Sequence, residues 1–327
     1  MSHIQIKSSL ALDTLCFLEK RLLNDTKWMD EKQIEEIKYI NALLPGDFGD
    51  NYIGMSNICL IVSAYFDGDL ECLTLDDLID MFNDPRKIEN TVKERITGGF
   101  TASYIYPVLE WLNDGYASLY AKRLTVLKNI GFESIYKERI LPMVYSEMKQ
   151  KEAEVAGYDA DSLFRNVSLL KKSSVIASAN IYVSFFSAPT AFTLYGGSFL
   201  TCFCPAGSVD FYSMIAHELM HGFASEKLTE LYRKHVESNE KLKACHHALL
   251  EDYPGDEEEF VMAAEYYLCY LSGNYSKEQL LKRARKEYGG NYPTSIAIFK
   301  QLLNEPRVPE GYNEWLIGQF ESNQISI

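Results

Sequence analysis

The sequence predicts a predominantly helical α+β protein, with helices through its first half, a small sheet past the middle and helices again to the end. Three observations carry that expectation. Apolar residues recur at helical spacing from residue 8 to about residue 170. β-Branched and aromatic residues then concentrate between Val175 and Cys204, and helical spacing resumes after Pro205 and Gly207. At 327 residues the chain is long for one core. Two regions are therefore expected, a helical one over residues 1–170 and a second over residues 171–327.

In the first region Leu10, Leu15 and Leu22 mark one helix, and a second fits residues 30–44 ahead of Pro45. Thr74 followed three residues later by Asp77 predicts a capped start for a helix carrying Leu75, Leu78, Ile79 and Phe82. Longer helical patterns run over residues 101–129 and 132–155. Asp67, Asp69 and Glu71 look like the opening of a calcium loop. Cys72 stands where that loop needs glycine and Leu78 where it needs glutamate, so the site is rejected. In the second region residues 181–187 and 191–204 read as strands, interrupted by Pro189 and the Gly196-Gly197 pair. Ser208 then offers a cap for a helix beginning near Val209. Tyr253, Pro254, Gly255 and Asp256 break the helical pattern, which returns over residues 257–271 and stops at Gly273. Ser276 with Gln279 predicts a capping box, and two short helices follow Pro293 and Gly311.

A net charge of −14 argues against nucleic-acid or anionic-membrane partners, because phosphate binding needs clustered Lys and Arg. No stretch approaches the roughly 18 apolar residues of a membrane span, and residues 1–20 lack the pattern of a signal peptide. The seven cysteines are scattered without CxxC pairs, as expected of reduced thiols in a cytoplasmic protein. Cys202 and Cys204, two apart on a predicted strand, read as small buried hydrophobes rather than metal ligands. His235, His246 and His247 read as surface histidines; the adjacent pair would point about 100° apart on a helix.

The chemistry concentrates at His217-Glu218-Leu219-Met220-His221, an HExxH pattern. Residues four apart on a helix lie one turn above each other, so both imidazoles can reach one tetrahedral zinc ion. Glu218 sits about 100° around from His217, which suits a carboxylate that takes a proton from water. Phe211, Tyr212, Ile215, Leu219 and Phe223 make the rest of this helix apolar and therefore buried. Ionisable groups on a buried helix are costly unless something pairs them, and a metal ion does so.

At these residues the sequence resembles the zincin metallopeptidases. That resemblance implies a small twisted sheet beside the HExxH helix, with an edge strand that binds extended substrate; residues 189–197 are similar to that strand, although an internal strand fits them equally. Ala224 and Lys227 stand where a metzincin would have glycine and histidine. The gluzincins instead draw a third ligand, a glutamate, from a later helix, and residues 257–267 resemble that helix with lethal-factor-like spacing. The resemblance implies Glu259 as the third ligand, with Glu265 as its rival or as a partner orienting a histidine, and Glu258 as a weaker choice. Ala263 occupies the position where such families often place the orienting carboxylate. Tyr253 stands where the lethal-factor type places a tyrosine that stabilises the oxyanion. The implied cofactor is Zn²⁺, the implied catalytic base Glu218 and the implied substrate a peptide or protein. The alternative is a binding or regulatory protein that keeps a zincin fold without peptidase activity. Residues 1–170 resemble no family.

Overall fold

The computed structural model describes residues 4–21, 29, 31–49, 53–97, 99–173, 178–187, 191–202, 210–250 and 257–325. It is a predominantly helical α+β protein with one small mixed sheet. The chain divides into two compact units. The first joins Met1–Gly157 to Ser178–Val209, and the second joins Tyr158–Ala177 to Asp210–Ile327.

The sheet belongs to the first unit. Its strands are β1 (Ile4–Lys7), β2 (Ala179–Ser184), β3 (Phe192–Thr193) and β4 (Ser198–Cys202), in the order β1-β2-β4-β3. β1 and β4 run parallel to β2, with Ile6 opposite Ile181 and Tyr182 opposite Leu200; β3 is antiparallel to β4 and forms an edge. Sequence reading finds the three later strands and misses β1. Four residues with two apolar positions give too little periodicity, and β1 is specified by its partner far along the chain. Pro189, Thr190 and Cys204 lie outside the described residues, as does the side chain of Cys202.

The helices of this unit follow their local signals. Thr74 and Asp77 form the capping box expected for the helix Leu75–Phe82, and the helix expected over residues 30–44 spans Glu31–Asn41. The long pattern over residues 101–129 is two helices, Gly99–Trp111 and Ala117–Asn129, joined by a wide turn in which Gly115 takes φ +112°. A side chain at that φ would be strained, so glycine permits the kink.

A buried carboxylate ties the first helix to the sheet. Asp13, on the helix Leu10–Lys20, accepts hydrogen bonds from the Ser184 hydroxyl at 2.5 Å, the Phe185 N–H at 2.7 Å, the Phe186 N–H at 3.3 Å and the Tyr136 hydroxyl at 2.9 Å. Burial raises its pKa to about 6, although each of these bonds pulls the other way. A raised pKa means that the folded chain binds this proton more tightly than the unfolded one. The associated stability is complete below the ordinary carboxylate range and is lost as pH climbs to about 6, roughly 3 kcal/mol in all. Asp13→Asn keeps an acceptor for β2 and should flatten this part of a denaturation-versus-pH curve. Asp13→Ala strands several buried donors and should cost several kcal/mol at any pH. An alanine variant as stable as wild type in urea titration would contradict this reading.

The second unit is helical. Its centre is the helix Glu258–Leu271, almost entirely buried, against which Phe211–Met220 and Pro293–Leu302 pack. Phe260 on that helix meets Tyr232 at 5.1 Å between ring centroids, and Phe223 meets Tyr312 at 5.0 Å. Ser276 and Gln279 form the expected capping box before Lys277–Ala284, and Tyr312–Glu321 closes the unit. Among the described residues no helix is long and apolar enough to cross a membrane.

Candidate metal centre

Asp210 starts the HExxH helix by accepting from the Ser213 N–H, and Asp210 in turn accepts from the Tyr275 hydroxyl. Ser208, the cap expected from sequence, lies outside the described residues. The helix buries Phe211, Tyr212, Ile215 and Leu219, as the apolar wheel predicts, but it ends at Met220, so Phe223 lies beyond it and is half-buried. His217 and His221 turn to one side with their Nε2 atoms 3.2 Å apart.

The carboxylate that meets both imidazoles is that of Glu258. Its Oε2 lies 3.4 Å from His217 Nε2 and its Oε1 lies 3.6 Å from His221 Nε2. Zinc bound tetrahedrally by nitrogen and oxygen at about 2.0–2.2 Å sets its ligand atoms about 3.3–3.5 Å apart. The separations are near that edge length, although the two imidazoles approach different oxygens of Glu258, and one ligand atom from each of His217, His221 and Glu258 lies within 4.8 Å of the others, a group able to hold a metal ion.

The far nitrogens of the two rings are also partnered. His217 Nδ1 sits 3.0 Å from Oε2 of Glu265. Glu265 is buried; it accepts from the Ser213 hydroxyl and, at 2.8 Å, from Arg283. Arg283 is itself held by Glu287, which also accepts from the Tyr266 hydroxyl. His221 Nδ1 lies 3.5 Å from Oε2 of Glu257. A carboxylate at each Nδ1 favours a proton there, so that in the neutral rings the Nε2 lone pairs face Glu258.

The electrostatics agree. Burial lowers the basicity of both imidazoles, but neighbouring carboxylates outweigh it. Glu258 and Glu265 hold His217 well above the ordinary value, and Glu257, Glu258 and Glu218 raise His221. Burial likewise pushes Glu258 upward, yet the two histidines bring it down to about 2. Glu257 and Glu265 are held low against the same opposing burial, by His221 and by His217 with Arg283. These opposite shifts describe a cluster of carboxylates that favours positive charge at His217 and His221, the kind of charge a divalent cation also supplies.

Glu259 points elsewhere. Its buried carboxyl accepts from the Tyr232 hydroxyl at 2.6 Å and from the Ser295 N–H at 2.9 Å, joining the first turn of Pro293–Leu302 to the core. Burial raises its pKa to about 7 despite those bonds. Glu259 and Glu258 differ by one residue, about 100° around a helix, so only one of them can face the histidines. Glu265 takes the orienting position that Ala263 leaves empty of charge. Glu218 is buried on the motif helix, and Tyr253 lies outside the described residues. Of the remaining histidines, His247 is exposed, while His235, packed on Phe320 at 5.3 Å, and His246, packed on Tyr232 at 5.9 Å, are half-buried.

Sequence reading missed Lys171, Ser213 and Arg283, which come from helices adjacent only in space. It assigns Glu257 no role in the site. One signal was available for the ligand: Glu258 and Glu265 are seven positions apart and share a face. A helix that offers Glu265 to a histidine therefore offers Glu258, not Glu259, to the same side. No protein-family model, curated protein or solved structure matches the chain.

Proposed function

We propose that the chain is a zinc-dependent metallopeptidase in which His217, His221 and Glu258 bind the metal and Glu218 is the general base. The observation that carries this reading is the double pairing of the imidazoles. Each Nδ1 faces a buried carboxylate, and both Nε2 atoms converge on the Glu258 carboxylate, one near each of its oxygens. Zinc in such a site supplies Lewis acidity that makes water nucleophilic near neutral pH. Glu218, next to His217 in the chain and close enough to His221 to raise its basicity, takes a proton from the attacking water. As the peptide C–N bond breaks, Glu218 passes that proton to the departing amine. Glu265 and Glu257 hold the rings in place and do not touch substrate. The resemblance to gluzincins supports the same roles for His217, Glu218 and His221 and a glutamate ligand from the later helix, with Glu258 in place of the Glu259 it implied, and the free thiols of Cys16, Cys59, Cys72, Cys245 and Cys269 favour a reducing, cytoplasmic setting.

The direct test is incubation of the zinc-loaded chain with a mixed peptide library read by mass spectrometry. Cleavage should appear, vanish with 1,10-phenanthroline and return with added zinc. Zinc binding without cleavage of any peptide or unfolded protein would favour a binding protein built on the same site.

A further inference from the structure

The helix that carries His217 stops at Met220. His221 has left helical conformation, with φ −57° and ψ 151°, and Gly222 follows at φ +79°. Four-residue spacing on a helix therefore does not by itself fix the second imidazole. Something else must hold the turn after the helix.

Two oppositely charged side chains grip that turn. The Lys171 ammonium donates to the carbonyls of Leu219 at 3.1 Å and His221 at 2.7 Å. The Glu257 carboxylate accepts from the N–H groups of Gly222 at 3.2 Å, Phe223 at 3.0 Å and Ala224 at 3.1 Å. The carbonyls at a helix C-terminus carry partial negative charge and favour a cation. Consecutive N–H groups in a turn form a concavity that favours an anion. The same carboxylate lies 3.5 Å from His221 Nδ1, and its residue is covalently next to the ligand Glu258.

We propose that Lys171 and Glu257 are positioning residues that clamp the 219–224 turn and so set the place and tautomer of His221 for metal binding. This role rests on the metallopeptidase reading for its consequence, but the hydrogen bonds of the clamp run between groups of the chain alone. It uses both polarities of one turn and links the second histidine to the carboxylate ligand through a single peptide unit.

The test uses the full chain with Lys171→Met, Lys171→Arg, Glu257→Ala and Glu257→Gln. Lys171→Met and Glu257→Ala, with helical circular dichroism unchanged, should weaken zinc in chelator competition about 10–100-fold, the usual range for groups that orient ligands. Lys171→Arg should recover most of the loss. In the metal-free chain at alkaline pH, ¹⁵N NMR should find His221 protonated at Nδ1 in wild type and shifted toward Nε2 in Glu257→Ala. Should the alanine variant not fold, Glu257→Gln keeps the shape without the charge and should move both readouts in the same direction. Folded variants with wild-type zinc affinity, or an unchanged His221 tautomer, would overturn the clamp. A wild-type chain that binds no zinc would remove the metallopeptidase reading, and the tautomer alone would then decide the clamp.

Discussion

Glu218→Gln should bind zinc as wild type does and lose about 10²–10⁴-fold in the rate of peptide cleavage, the usual contribution of a positioned general base. The amide has the shape of the carboxylate, so the buried site closes around it unchanged, but it cannot accept a proton from water. His217, His221 and Glu258 are untouched by the substitution, and their separations are set by Glu265, Glu257 and the two helices. Parallel assays of metal content and cleavage separate the two roles. A variant that cleaves at the wild-type rate would remove Glu218 as the base, and one that loses metal would make it a ligand.

Glu258→Ala and Glu259→Ala should behave in opposite ways although the residues are neighbours. Removing Glu258 leaves two imidazoles and should weaken zinc by more than the roughly 10–100-fold expected when an orienting group is lost. The helix fold should survive, because Glu258 is the half-buried member of its turn and donates nothing to the core. Removing Glu259 leaves the Tyr232 hydroxyl and the Ser295 N–H without their buried acceptor. That should cost about 1–3 kcal/mol of stability for each stranded group, with zinc affinity close to wild type. Glu259→Gln should restore most of the stability, since a residue whose carboxyl is already pushed toward its neutral form loses little on becoming an amide.

The contrast between these two glutamates shows where sequence reading reaches its limit. The two histidines declare themselves by four-residue spacing, and the helix by its apolar wheel, although its cap is Asp210 and the sequence points to Ser208. The capping boxes at Thr74 and Ser276 are local chemistry and appear as read. Choosing among Glu257, Glu258 and Glu259 requires the rotation of one helix relative to another, which composition does not set. Each of the three is in fact used, one to hold a turn, one toward the imidazoles and one in the core. Strand β1 and the partners Lys171 and Arg283 share the same difficulty, because their meaning lies in contacts distant along the chain.

The most direct measurement is elemental analysis of metal per chain, made side by side on wild type, Glu258→Ala and Glu259→Ala purified without chelator and supplied with zinc. The account predicts about one zinc per chain in wild type and in Glu259→Ala, because the three-ligand site is intact in both, and a marked loss in Glu258→Ala. Absence of bound metal in the wild type, or full occupancy in Glu258→Ala with loss in Glu259→Ala, would contradict it.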